Sequence, residues 1–166
     1  MGSNNIYLLT GKVNSGKTTI LSEWIQRKKN CGGILQPKIN GKRFLLNIRT
    51  GEEKSLEVIN GISSVNVVRV GKYSFNIATL DWAKNILMNE INNSPDWLII
   101  DEYGKLELED KGLEPVVSQI IERSSNEKTP KILIVIRDYL VTDFLGKFSF
   151  GHNSVNILTT EELDSI

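Results

Sequence analysis

The sequence predicts an α/β fold, a mixed and mostly parallel sheet flanked by helices and carrying an antiparallel β insert. Three observations predict it. The apolar run Ile6–Thr10 stops at Gly11 and resumes as a helical pattern after Gly16-Lys17-Thr18. The run Asp96–Ile100 ends in the acids Asp101 and Glu102. The run Lys131–Ile136 is continuously apolar after its lysine, as a strand buried on both faces must be. Its 166 residues, 40% apolar and 24% charged, suit one domain with a substantial core over 1–166.

The first element sets the chemistry. Gly11-x-x-x-x-Gly16-Lys17-Thr18 has the Walker A spacing, in which glycines let a loop turn its N–H groups inward onto phosphate oxygens. The loop feeds a helix N-terminus, where anions are held. Gly11, Lys12, Val13, Asn14, Ser15, Gly16, Lys17, Thr18 and Thr19 are therefore expected to bind a nucleotide. In this pattern Lys17 reaches the β- and γ-phosphates and the Thr18 hydroxyl sits on Mg²⁺, which needs few protein ligands. A chance Gly-rich turn is the bland alternative. It would have to fall between an apolar strand and a helix whose Ile20, Leu21, Trp24 and Ile25 form one stripe.

The polar run Arg27–Asn30 ends this helix. Gly32-Gly33 breaks the pattern, and Ile34–Gln36 reads as a short strand before Pro37. A β-rich insert over about 34–70 follows. Arg43–Arg49 and Lys54–Ile59 form a hairpin around Thr50–Glu53, and a third run is Val65–Val70. One mixed sheet, with these strands on its flank, is the expectation. Ile77, Leu80, Ala83, Leu87 and Ile91 give a helix over 76–92, capped by Asn76 or Thr79.

Acids at the end of a buried strand otherwise begin a solvated loop. Beside a Walker A loop they read as Walker B, because parallel strands present their C-terminal ends to the ligand. Asp101 is then the second metal-site residue. Gly104–Gly112 is charged and turn-like. Leu113, Val116, Val117, Ile120 and Ile121 form a helix with Pro115 in its first turn, and Ser124–Pro130 is a loop. Arg137, ending the 131–136 strand, falls at the same edge as the acids. Tyr139–Lys147 reads as a short helix, Val155–Leu158 as a last strand before an acidic tail, and His152 as a surface turn residue.

Twenty basic residues balance twenty acidic ones, so no broad positive field holds nucleic acid or an anionic membrane by counterion release. No run of eighteen apolar residues or charged leader appears, and the single Cys31 excludes an internal disulfide. A cytoplasmic, monomeric protein with a structural thiol is the expectation; protein partners are not legible.

At Gly71-Lys72-Tyr73, and above all at Asp101-Glu102-Tyr103-Gly104-Lys105-Leu106-Glu107-Leu108, the chain resembles the thermophile-type nucleoside triphosphatases, whose signature there is Asp-Glu-Ile-Gly-Lys-Met-Glu-Leu. The resemblance runs from the Walker A loop to about Ile136. It implies a P-loop NTPase fold with the additional-strand core of AAA and RecA-like ATPases, and Mg²⁺-dependent hydrolysis of ATP, GTP or other NTPs with broad base tolerance. By the same resemblance Asp101 holds the metal through water and Glu102 orients or deprotonates the attacking water. Lys105 faces the γ-phosphate or pairs with an acid. Tyr103 stands where the family has an aliphatic residue, adding a hydroxyl near the acids. The segment Lys38–Arg43 is shorter and poorer in arginine than the family's loop, leaving Arg43 as the best match for a phosphate-facing arginine.

The template agrees, since phosphoryl transfer is catalysed by positioning and charge neutralisation. A nucleotide or small-molecule kinase is the nearest alternative, but the six arginines are scattered rather than clustered in a lid. A nucleotide-dependent switch or assembly module with incidental hydrolysis is an alternative of another class.

Overall fold

A computed structural model describes residues 5–59, 66–124, 129–150 and 154–166. Val65, residues 125–128 of the expected loop, and His152 lie outside these. The elements run β1 (Ile6–Gly11), α1 (Lys17–Gln26), β2 (Cys31–Leu35), β3 (Lys38–Ile39), β4 (Lys42–Asn47), β5 (Glu53–Ser55), β6 (Val67–Val70), β7 (Tyr73–Asn76), α2 (Ile77–Asn93) and β8 (Trp97–Tyr103). There follow α3 (Lys105–Leu108), α4 (Val116–Arg123), β9 (Lys131–Arg137), α5 (Val141–Lys147) and β10 (Asn156–Leu158).

The main sheet has the order β10-β1-β9-β8-β2-β4-β3, with β5 on β4. Pairs from β10 to β2 are parallel, and β4 joins β2 antiparallel. Strand β9 thus lies between β1 and β8, which is the additional-strand arrangement. Successive side chains in a strand face opposite ways, and here each face has its own core. Leu8, Leu98, Ile100, Ile132 and Ile134 pack with α2, α4 and α5. Leu9, Ile99, Leu133 and Val135 pack with Leu21 and Trp24 of α1 and with Leu163 of the tail. Full burial of each such aliphatic side chain is worth about 1.5–3 kcal/mol, so the three middle strands anchor the fold.

Several expectations change in detail. Gly32-Gly33 does not break the chain but lies inside β2, whose ladder to β8 starts at Cys31. A Cβ on Gly32 would lie 2.0 Å from the Glu90 carboxylate, and one on Gly33 2.1 Å from the Ile99 carbonyl oxygen. These glycines permit close approach. The insert is not wholly in one sheet, because β6 and β7 form a separate two-stranded ribbon extending to Asn76. Lys38–Arg43 is itself a hairpin turning at Asn40 (φ 50) and Gly41 (φ 78), an Asn-Gly pair suited to a tight turn.

In α2, Asn76 is the cap, accepting from the Ala78 N–H at 2.9 Å. Leu80, Ala83, Leu87 and Ile91 are buried, whereas Ile77 is exposed because it begins the first turn, before the helix meets the sheet. Within the turn-like Gly104–Gly112 stretch, α3 buries Leu106 and Glu107. The tail after β10 is a 3₁₀ turn, Thr160–Ser165.

Candidate functional site: the phosphate loop and the acids of β8

Parallel strands all end at one edge of the sheet, and the loop that leaves β1 there is residues 12–16. Gly16 takes φ 80 to enter α1, a conformation that a side chain would strain. Lys17 follows as the first helical residue and is buried, its Nζ donating to the carbonyl oxygens of Gly11 (3.1 Å) and Lys12 (2.6 Å) and to Ser15 Oγ (3.3 Å). Burial pulls its ammonium below the usual lysine range, against the pull of Glu102 and Asp101.

Asp101 is 1% exposed. Its Oδ2 accepts from Thr18 Oγ1 at 2.9 Å and from the Gln36 N–H at 3.1 Å. Burial pushes its carboxyl up to about 6 despite those donors, because desolvation penalises the charged form. Glu102 accepts from Arg137 Nε at 2.6 Å, and Arg137 Nη1 donates to the Tyr139 hydroxyl at 3.3 Å.

A cavity of about 520 Å³ is lined by Val13–Thr19, Gln36, Arg43, Asp101, Glu102 and Arg137. Elements from four places in the chain therefore meet at one wall: the loop, the ends of β2 and β8, and the end of β9. Gly11 and Lys12 form the loop's base, and their carbonyls hold Lys17. Arg43 enters from β4, its guanidinium 4.1 Å over the Tyr73 ring and 3.5 Å from Glu57. Lys105 lies apart from this cavity. It begins α3, exposed, its Nζ 6.0 Å over the Tyr139 ring, and it lines an adjoining cavity with Glu102 and Arg137.

Tyr103 corrects an expectation. Its hydroxyl is not beside Asp101 and Glu102: the β8–β9 register shifts between Ile100 and Tyr103, and the buried ring packs edge-on to Phe144. The hydroxyl donates to Glu114 at 3.2 Å, and burial raises its pKa. Glu107 of the signature is structural. Its carboxylate accepts from the N–H groups of Gly104 (2.9 Å) and Leu113 (3.0 Å), pinning α3 to the next segment. Sequence reasoning missed Gln36, Tyr73 and Tyr139. Gln36 was legible, since the rule that picks out strand ends at β8 and β9 applies equally to β2.

Thr18 Oγ1 and Asp101 offer hard oxygen donors that already share a hydrogen bond. Among the described residues no three His, Cys, Asp or Glu side chains cluster for a metal. So sparse a donor set suits a cation that keeps several waters and takes phosphate oxygens.

A phosphate loop between the first strand and a helix, with paired acids two strands away across β9, defines a P-loop nucleotide-binding protein of the additional-strand class. The chain belongs to the NTPase family, whose model matches residues 6–165. The nucleoside-triphosphatase THEP1 of Thermotoga sp. (strain RQ2) is 31% identical over 119 residues, 69% of this chain and 67% of that protein. The nucleoside-triphosphatase THEP1 of Sulfolobus acidocaldarius is 28% identical, covering 89% of this chain and 95% of that one. The crystal structure of THEP1 from Aquifex aeolicus superposes with a TM-score of 0.70 at 23% identity, over 96% of this chain and 92% of that one, and shares the fold.

Proposed function

We propose that this protein hydrolyses nucleoside triphosphates to diphosphate and phosphate with Mg²⁺ and little regard for the base. The observation that carries the reading is the shared cavity: Glu102, one residue beyond Asp101, faces the same space as loop residues 13–19. Loop N–H groups and Lys17 bind and neutralise the phosphate chain. Thr18 and Asp101 would hold Mg²⁺, which supplies charge neutralisation at the β- and γ-phosphates.

Glu102 orients a water and accepts its proton as the oxygen attacks the γ-phosphorus. The bond to the β–γ bridging oxygen then breaks, and the diphosphate leaves with its electron pair. Arg137 sets the direction of the Glu102 carboxylate through their 2.6 Å contact. Arg43, which lines the cavity, contributes positive charge on the γ side, the role that arginine fingers fill elsewhere, while Lys105 stands in the adjoining cavity.

The named contacts all grip phosphate, which supports broad base tolerance. The reading is of a cytoplasmic monomer; among the described residues no helix is long and apolar enough to cross a membrane. Phosphate release from ATP, GTP, CTP and UTP, with and without Mg²⁺, tests the proposal. Comparable Mg²⁺-dependent rates are expected for all four. A hundredfold preference for one base would refute the tolerance, and release unaffected by chelation would refute the metal.

A further inference from the structure

The second cavity, about 230 Å³, shares Glu102, Arg137, Arg43 and Gln36 with the first, but none of loop residues 13–19 reaches it. It therefore adjoins the first cavity at these four residues while standing clear of the phosphate loop. Its floor is apolar, built from Leu45, Leu56, Phe75, Leu80 and Leu106, all buried. Its rim carries four cations: Arg43, Lys72, Lys105 and Arg137.

The acids on that lining are already engaged. Glu102 accepts from Arg137, and Glu107 accepts from two backbone N–H groups. Arg137 is taken up by Glu102 and Arg43 stands 3.5 Å from Glu57, so the surplus positive charge over this oily base is that of Lys72 and Lys105. An occupant matched to both needs an apolar body and an anionic group. The cavity is small beside those of drug-sized ligands and has room for a single ring with short substituents. Tyr73 and Phe75 supply an aromatic wall, their rings 13° from parallel.

Position decides what such an occupant does. In-line phosphoryl transfer puts the attacking oxygen opposite the leaving diphosphate, next to the residue that orients the nucleophile. Under the hydrolase reading, on which this inference rests, that residue is Glu102, and the cavity opens beside it. We propose that the cavity binds a small aromatic acid bearing an alcohol, and that this alcohol takes the place of water as acceptor of the γ-phosphoryl group. Its oxygen bonds to the γ-phosphorus and its proton passes to the Glu102 carboxylate. The bond from the γ-phosphorus to the bridging oxygen breaks, and the nucleoside diphosphate leaves with the electron pair. The anionic group pairs with Lys72 at the rim.

The experiment uses the full chain with ATP labelled in its γ-phosphoryl group and 3-(hydroxymethyl)benzoate as probe. Benzoate, which has no alcohol, is the non-acceptor control. Labelled phosphoester is expected, one per ADP, with free phosphate falling in step, and benzoate should compete without yielding product. Two substitutions outside the phosphate site test the location: Val70→Trp fills the cavity, and Lys72→Glu reverses the rim. Each should cut transfer by roughly tenfold or more while phosphate release from ATP alone is kept.

Saturation-transfer NMR measures probe binding in parallel. If the probe binds the wild type no better than Val70→Trp and no labelled ester forms, the proposal is overturned, while continued phosphate release leaves the hydrolase reading intact. If phosphate release from ATP alone is itself absent, the hydrolase reading fails and takes this inference with it.

Discussion

Arg137 and Glu102, 35 residues apart in sequence and on neighbouring strands, meet with Nε 2.6 Å from Oε1. The pair couples the β9 end to the acid that faces the phosphate loop. Glu102→Gln keeps the shape but removes the charge that Arg137 holds and the capacity to take a proton. Turnover should fall by roughly 10²–10⁴, while nucleotide and Mg²⁺ affinity stay near wild type because Thr18, Asp101 and the loop are untouched. Calorimetry together with single-turnover rates checks this. An affinity loss proportional to the rate loss would make Glu102 a binding residue.

Lys17→Ala removes the buried ammonium that the start of α1 brings into the wall. Turnover should drop by at least roughly 10²–10³, and triphosphate binding should weaken with it. Lys17 also ties Gly11 and Lys12 together, so thermal melting must accompany the kinetics. A variant that melts normally and still hydrolyses at near wild-type rate sinks the phosphate-loop assignment.

The Glu90 carboxylate is buried and held by Arg49 at 2.7 and 2.6 Å, in the space that Gly32 leaves open. Gly32→Ala should push it aside and cost about 2–3 kcal/mol of stability. In a Glu90→Ala background the added methyl group meets no carboxylate, so its penalty should shrink by about 0.5–3 kcal/mol. Urea titrations of the two single variants and the double variant read the coupling. Strict additivity would mean that the close approach is relieved elsewhere.

Half-burial pushes the Cys31 thiol up to about 11. At pH 8 the thiolate is then roughly a thousandth of the thiol, against roughly a third for an exposed cysteine. Alkylation of native protein should run about two orders of magnitude slower than that of urea-unfolded protein. The folded value lies above the unfolded one, so the stabilising contribution is complete below about pH 8.5 and is lost as pH rises toward 11. A native rate matching the unfolded one at pH 8 would contradict this environment.

Much of the architecture was legible because strand and helix carry different periods. Thr10 to Leu21 contains a stop, a glycine-rich gap and a restart, and β9 is apolar from Ile132 to Ile136. What the pattern misread turns on contacts between distant parts of the chain. Gly32-Gly33 looks like a breaker until Glu90 and the Ile99 carbonyl are seen against it. Ile77 has the right spacing but precedes the region where α2 reaches the sheet. Tyr103 stands next to the acids in sequence, yet a register shift sends its ring into the aromatic cluster around Phe144. The cavity beside Glu102 takes residues from both strings that carry the resemblance, but its apolar floor has no linear signature. Its floor is drawn from β4, β7, α2, α3 and the residues just after β5.

The strand order also carries a meaning for synthesis. Strand β1 leaves the ribosome early, yet both its sheet neighbours, β9 and β10, come from beyond residue 130. For most of translation Leu8 and Leu9 have no strand beside them, and β8 likewise lacks one of its two flanking strands. The nascent chain therefore carries a complete phosphate-loop motif that cannot be set against its acids until β9, the strand between β1 and β8, has been made. Until then the apolar edges of β1 and β8 stay open to association, and nucleotide cannot bridge the loop and the acids.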